Sequence, residues 1–381
     1  MIEEIGKVKL DYSAYAGKDL YSDGEVENEL LDIVKNKTSA EYAEIIERRK
    51  SWPILYHLSS LRENIIDWLP WEDMIPWEAR FSQKVINPTV SSVKGMKRAV
   101  SLAEGMSAAV NPAEGMNAAV NPVEDMSAAV MNPVEGMYAA AVNPAEGMSA
   151  AMMNPAEGSM YAAEAGMSAE TSEAACTDTK QGVKVLEVGS GCGAITGALV
   201  RRAGSVTCVE LSKKRSLINA YRHRECDNLT IHVGNFRDVE PGLPKDYDLI
   251  CLIGVYEYAQ SYMEGDTPYE DFLKILLSHL APEGRLIIAI ENQYGLKYFA
   301  GCKEDHLGTY FSGIENYEAG NSVRTFSREG LERIFRNCGV GEWHFYYPYP
   351  DYKFMTTLYS DEFLPKKENC LTIYAILTGT G

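Results

Sequence analysis

The chain has 381 residues, 46% of them apolar, and a formal net charge of −18. That length and apolar share suffice for a sizeable core, but the acidic balance argues against a nucleic-acid partner, whose phosphates are held by clustered Lys and Arg. The start, Met1-Ile-Glu-Glu-Ile5, has no apolar core of signal-peptide type, and no run of about 18 apolar residues appears. A cytoplasmic protein without membrane insertion is therefore expected. Eight cysteines stand singly, none in a C-x-x-C pair, so reduced core thiols are expected and spacing indicates no metal site.

Residues 1–71 read as a leader that packs on the domain behind it. Tyr12 to Gly24 carries aromatics and turn residues and reads as an ordered loop, and Glu25 to Lys35 as a helix. Ser60-Leu-Arg-Glu63 has the spacing of a capping box, followed by Leu61, Ile65, Trp68 and Leu69 on one helical face.

Residues 72–182 read as an insertion, within which the composition changes abruptly from about residue 93 to 168. Units beginning Asn111-Pro-Ala-Glu-Gly-Met, Asn121-Pro-Val-Glu-Asp-Met, Asn132-Pro-Val-Glu-Gly-Met and Asn143-Pro-Ala-Glu-Gly-Met recur every ten or eleven residues. Asn-Pro breaks, glycine and a predominance of Ala leave too little large apolar surface for a stacked solenoid, so a disordered low-complexity insertion is expected. Methionine-rich metal binding has little support, because no His or Cys joins the dispersed sulfurs.

Val183 to Val188 is an apolar run of strand length that breaks into Gly189-Ser-Gly-Cys-Gly193. Glycine at alternate positions permits a tight turn and close approach of a ligand, and the helix expected from Ala194 offers unpaired N–H groups. A dinucleotide fingerprint would carry its third glycine one position later, which makes a pyrophosphate less suitable. The second strand, Ser205 to Leu211, contains Glu210, placed to accept hydrogen bonds from a ribose diol or else to pair with Lys213 or Lys214. Cys192 lies in the loop near a helix start, where a thiolate is favoured, but no paired base stands near it in sequence.

Strands and helices then alternate. Ser212 caps a helix through Arg224, Leu229 to Phe236 and Tyr247 to Tyr256 read as the third and fourth strands, and Asp266-Thr-Pro268 opens a helix. Arg285 to Ile290 reads as the fifth strand and Ser327 to Asn337 as a helix, while His344 to Tyr347 and Leu371 to Leu377 suit an antiparallel hairpin at the sheet edge.

The set Glu187-x-Gly-x-Gly-x-Gly193 with an acid closing the second strand resembles the class I S-adenosylmethionine-dependent methyltransferases, and the order of elements over residues 183–381 is similar to their Rossmann-like, mostly parallel seven-stranded α/β sheet. Tyr21-Ser-Asp-Gly24, Trp52-Pro-Ile-Leu-Tyr-His-Leu-Ser59, Arg62-Glu-Asn64, Ala289 to Tyr298, Glu304-Asp-His306 and Tyr346 to Lys353 resemble the subgroup found with glycosyltransferases in bacterial surface-polysaccharide gene clusters. In that pattern the leader runs almost straight into the first strand, so the insertion is a departure.

The resemblance implies S-adenosylmethionine as cofactor. Gly189, Ser190, Gly191 and Gly193 would face its methionine half, with Glu187 and Cys192 among the contacts. Glu210, followed by Leu211, would take the ribose, Asn235 and Phe236 would flank the adenine, and Ile253, Gly254 and Val255 would line the methyl-transfer centre. Asn235 otherwise caps a turn and Phe236 otherwise belongs to the core. A hydroxyl acceptor must lose its proton, and Glu257 or His306 is the candidate base, His306 having the more suitable unperturbed pKa.

No Asp/Asn-Pro-Pro-Tyr follows the fourth strand, which disfavours a nucleobase amine as acceptor. Tyr294, Tyr298, Tyr346, Tyr347, Tyr349 and Tyr352 are candidates to stack on sugar faces. The expected activity is O-methylation of a sugar or glycan hydroxyl. The alternatives are another small-molecule or protein acceptor, or a non-catalytic cofactor-binding partner of a glycosyltransferase.

Overall fold

The computed structural model describes residues 1–19, 22–69, 71, 182–318 and 322–364. The repeat-bearing insertion and Leu371 to Leu377 lie outside the described residues. Strands β1 (Ile2–Ile5) and β2 (Val8–Asp11) open the chain, followed by helices α1 (Glu25–Asn36), α2 (Tyr42–Arg49), α3 (Trp52–Leu58) and α4 (Asn64–Asp67). Then come β3 (Lys184–Val188), α5 (Thr196–Arg202), β4 (Ser205–Glu210), α6 (Lys213–Arg222), β5 (Leu229–Val233), α7 (Phe236–Val239) and β6 (Tyr247–Ile253). The described chain continues with α8 (Ala259–Tyr262), α9 (Pro268–Leu277), β7 (Leu280–Ala289), α10 (Leu296–Phe299), α11 (Arg328–Asn337), β8 (Tyr346–Tyr349) and β9 (Thr357–Ser360).

One seven-stranded sheet runs β1-β2-β5-β4-β3-β6-β7. Among the described residues of this sheet, β1 and β2 pair antiparallel and every other neighbouring pair is parallel. From β3 the chain builds outward through β4 to β5, then crosses back to place β6 on the other side of β3. That reversal opens a crevice at the carboxyl ends of β3 and β6, where open α/β sheets bind ligands. This is the Rossmann-like methyltransferase fold.

The antiparallel edge is built from a different part of the chain than the sequence suggests. Val8 and Leu10 are fully buried while Lys9 is exposed, so a four-residue alternation is enough to dock β2 beside β5. Glu3 and Glu4 are exposed on β1, which blunts the outer edge with charge. The residues from Tyr346 instead pair with Thr357–Ser360 in a separate two-stranded sheet. Pro348 lies within β8, and a proline cannot donate to a ladder, which suits a short peripheral ribbon.

Successive residues of β3 point to opposite faces of the sheet. Val185 joins a core with Leu199, Ile231 and Ile66, and Leu186 joins one with Ile250, Leu252 and Phe272. A third cluster packs Leu30, Tyr42, Ile54 and Leu58 of the leader against Cys192 and Ile218. The leader helices are thereby fixed against the glycine loop by apolar contact. The Ser60 capping box does not form: Ser59 Oγ accepts from Leu61 N at 3.3 Å, residues 60–63 make a tight turn ahead of α4, and Glu63 pairs with Arg201. Among the described residues no helix is long and apolar enough to cross a membrane.

Candidate active site

The loop after β3 takes the backbone that glycine permits. Gly189 and Gly193 have φ of +75° and +77°, and a Cβ on them would come within 2.4 Å of Val255 Cγ2 and of Asn219 Oδ1 respectively. Glu210 turns inward beneath this loop: Gly191 N donates to its Oε2 at 2.8 Å and Ser212 N to its Oε1 at 2.9 Å. Among the described residues it has no lysine partner: the Lys213 ammonium lies 5.1 Å from the Tyr12 ring centroid, and the backbone N–H groups of Lys213 and Lys214 donate to Asp19. Burial raises the Glu210 pKa, opposed by the Arg215 guanidinium and the two amides. Thr196, not Ala194, is the first residue of α5.

The cavity beside this loop is lined by Ser190, Gly191, Ile253 and Gly254, and on the leader side by Tyr56, His57 and Arg62. Arg62 is 3% exposed, its guanidinium carbon lies 4.2 Å from the Tyr56 ring centroid, and its Nη2 donates to Tyr56 Oη at 3.1 Å. Its Nε and Nη1 have no hydrogen-bond partner among the described residues. A buried guanidinium with two unmet donors is costly unless an anion completes it. Sequence reasoning assigned Arg62 no task; its only signal was the Arg62-Glu-Asn64 motif.

Glu187 lies under the loop and also lines the cavity, where Thr196 Oγ1 donates to its Oε2 at 2.6 Å and Cys208 Sγ approaches at 3.3 Å. Burial lifts its pKa to about 7 against those hydrogen bonds. Cys192 lines the cavity and also packs among the leader helices, and burial pushes its thiol up to about 12, which disfavours a thiolate. Val255 packs under Gly189, and Leu211 does not line the cavity. Asn235 Oδ1 accepts from Arg237 N at 3.0 Å, capping α7, and Phe236 stacks edge-on against Phe272 in the core. Asn235 also lines a second pocket with Asp238, Gln260 and Met263.

Glu257 and His306, far apart in sequence, meet with Glu291 beside this cavity. His306 Nε2 lies 3.4 Å from Glu257 Oε1 and 3.8 Å from Glu291 Oε2, and its Nδ1 lies 3.0 Å from Glu304 Oε1. Burial disfavours charge on the imidazole, but the hydrogen bonds to Glu257 and Glu304 outweigh it and raise its pKa to about 10. The ordinary histidine pKa that recommends His306 as a base is thus not the one it has here. Lys353 pairs with Glu291 and, at 3.2 Å, with Asp305, which Lys297 also binds at 2.5 Å. The cluster borders the cavity at Gly254, where an added Cβ would stand 2.7 Å from Tyr352 Oη and 3.7 Å from Glu257 Oε1.

Of the aromatics considered for sugar stacking, Tyr298 and Tyr352 are buried, Tyr346 packs on Trp68 at 4.6 Å, and Tyr347 bonds to Asp361. Tyr294 and Tyr349 are exposed. The leader and the C-terminal segment close on each other through Trp52 and Phe354, 5.6 Å apart, and through Asn64 Nδ2 donating to Met355 O at 2.7 Å.

Residues 186–286 match a family model described as a methyltransferase domain. A curated relative, protein-L-isoaspartate O-methyltransferase 2 of Archaeoglobus fulgidus, is 31% identical over 121 residues, which is 30% of this chain and 48% of that protein. The chain thus spans about half the length of the curated relative it matches. Among solved structures, the amino pentose methyltransferase CalS10 from Micromonospora echinaspora is 21% identical, covering 29% of this chain and 43% of that one, with a TM-score of 0.24. A putative O-methyltransferase from Nostoc punctiforme is 15% identical, covering 44% and 48%, with a TM-score of 0.32. With TM-scores this low, the strand order rather than these likenesses carries the fold.

Proposed function

We propose that this class I methyltransferase domain, whose cofactor is S-adenosylmethionine, O-methylates a hydroxyl of a sugar or glycan in the cytoplasm during surface-polysaccharide synthesis. The observation that carries the methyltransferase reading is one cavity lined by the glycine loop and by Arg62 with its two unmet donors, with Glu210 fastened to the loop at Gly191 and with Glu257 and His306 at its border. The residues fit the cofactor. The glycine loop gives its backbone room, Glu210 has lone pairs left for a ribose diol, and the buried Arg62 guanidinium, with Nε and Nη1 unmet, supplies the charge and a donor for an α-carboxylate. Asn235 in the second pocket is assigned to the adenine side.

When bound, S-adenosylmethionine supplies an electrophilic methyl group for in-line displacement. The chain's part is to hold the acceptor oxygen on line and exclude water. Ile253 and Gly254 line the cavity next to Tyr352 and Glu257, the leader side chains Tyr56 and Arg62 line it as well, and the hydroxyl proton is assigned to Glu257, because the carboxylates around His306 keep its imidazole protonated. The sugar acceptor and a glycosyltransferase partner rest on the motif resemblance.

The second reading is a methyltransferase for another small molecule or a protein; the archaeal relative bears the name of an enzyme for isoaspartyl protein. A third is a cofactor-binding partner without turnover. Incubation with methyl-labelled cofactor and a panel of sugar nucleotides, lipid-linked glycans and peptides ranks the three. Label entering a sugar hydroxyl supports the first, label confined to peptide overturns it, and binding without transfer to any acceptor leaves the third.

A further inference from the structure

Two buried carboxylates and a partly buried imidazole, from three separate segments, meet at one spot beside the cofactor cavity. Glu257 follows β6, Glu291 follows β7 and His306 comes from the loop after α10; one ligand atom from each lies within 4.8 Å of the other two. Donors bound to one metal at about 2.1 Å are about 3.0 Å apart at right angles and about 3.4 Å apart at the tetrahedral angle. The observed 3.4 Å and 3.8 Å from His306 Nε2 to the two carboxylates require only small side-chain movements to reach that geometry.

We propose that Glu257, Glu291 and His306 bind a divalent cation of the Mn2+ class. Two observations beyond the clustering support it. Glu257 Oε2 and Glu291 Oε2 are buried without a hydrogen-bond partner among the described residues, although the other oxygen of Glu257 faces His306 and that of Glu291 is held by Lys353. Buried carboxylate oxygens lacking a donor are expensive, and one cation satisfies both.

The imidazole is also held from behind. Glu304 Oε1 lies 3.0 Å from His306 Nδ1, and Glu304 Oε2 accepts the backbone N–H of His306 at 2.8 Å and of Leu307 at 2.6 Å. A fixed carboxylate on Nδ1 holds the ring with Nε2 toward the two glutamates, as behind metal-bound histidines generally, and a cation bound there takes the place of the Nε2 proton. Charge agrees: Glu257, Glu291, Glu304 and Asp305 contribute four negative charges against two positive ones from Lys297 and Lys353, leaving two for a cation to balance once it has displaced the imidazole proton. Two carboxylates and one imidazole, without thiolate, suit Mn2+ better than Mg2+, which prefers oxygen donors alone. Water or acceptor hydroxyls would complete the coordination.

The site is independent of which acceptor is used, and its test is independent of turnover. The full chain is stripped with a chelator and titrated with Mn2+, followed by electron paramagnetic resonance and calorimetry. One Mn2+ per chain is expected, with modulation from a coordinated imidazole nitrogen in the pulsed spectrum. Glu257→Gln, Glu291→Gln and His306→Ala should each weaken uptake at least about tenfold, and Glu304→Gln by about tenfold. Circular dichroism and a cofactor titration on each variant check that it folds. Absence of stoichiometric uptake, uptake without nitrogen modulation in the unmutated chain, or affinity unmoved by all three ligand substitutions overturns the proposal. Mn2+ uptake with nitrogen modulation in a chain that fails to bind S-adenosylmethionine would preserve the metal site and overturn the methyltransferase reading instead.

Discussion

Gly191 donates its backbone N–H to Glu210 Oε2 at 2.8 Å, so the acid that closes β4 also fastens the loop that follows β3. One carboxylate therefore holds the loop closed and, in the proposed function, also offers its remaining lone pairs to the ribose. Glu210→Gln keeps the shape but removes the charge behind both, and hydrogen bonds to a charged group contribute about 1.5–3 kcal/mol. Calorimetry with S-adenosylmethionine should show affinity lowered about 10- to 100-fold. Unchanged affinity would remove Glu210 from the site.

Arg62 separates cofactor binding from folding. Its guanidinium is buried with two nitrogens unmet, so without ligand it costs stability, and Arg62→Met keeps the stem against Tyr56 while removing that cost. The variant's melting temperature without cofactor should equal or exceed that of the unmutated chain. The upward shift produced by saturating S-adenosylmethionine should largely vanish. A full ligand-induced shift in the variant would show that the carboxylate is bound elsewhere.

The loop glycines should differ in what alanine does to them. Gly193→Ala faces both a φ of +77° and Asn219 Oδ1 at 2.4 Å, whereas Gly191→Ala, at φ +54°, has nothing within 4 Å of the new methyl. Left-handed backbone alone costs about 1–2 kcal/mol, and the collision adds to it. Denaturant melts should rank Gly193→Ala as the less stable variant by at least about 1 kcal/mol.

Glu187 should leave a mark on the pH dependence of stability. Burial raises its folded pKa to about 7 from 4.5, so between these values the folded chain holds a proton that the unfolded chain has released. Stability therefore falls as pH rises from about 4.5 to about 7, by about 3 kcal/mol from this group, and is level outside that window. Glu187→Gln cannot titrate. The difference in unfolding free energy between variant and parent, measured by urea melts at pH 5 and pH 8, should move in the variant's favour at the higher pH; a constant difference would show that Glu187 is ionised in the fold throughout.

Local features were legible in the chain. Val183 to Val188 followed by alternate glycines announces a buried strand and a ligand loop, because apolar continuity and the absence of Cβ are properties of the residues themselves. Glu210 could be placed for the same reason: strand length and the end of the apolar run put it beside the loop. β2 was missed, since the alternation Val8-Lys-Leu-Asp11 is only four residues long and strand pairing completes it. Phe236 and Asn235 sit at the expected end of β5, yet their side chains serve the core and a helix cap.

By itself, then, the sequence determined the parallel core, its glycine loop and the acid beneath it, all of which follow from short-range period and backbone freedom. Only the tertiary structure decided that Arg62 from the leader faces the cavity and that Glu257, Glu291 and His306 share one buried point. Those residues are separated by long stretches of chain, and their chemistry depends on burial and mutual distance. Neither quantity exists until the sheet has folded and the segments at its carboxyl edge have closed on one another.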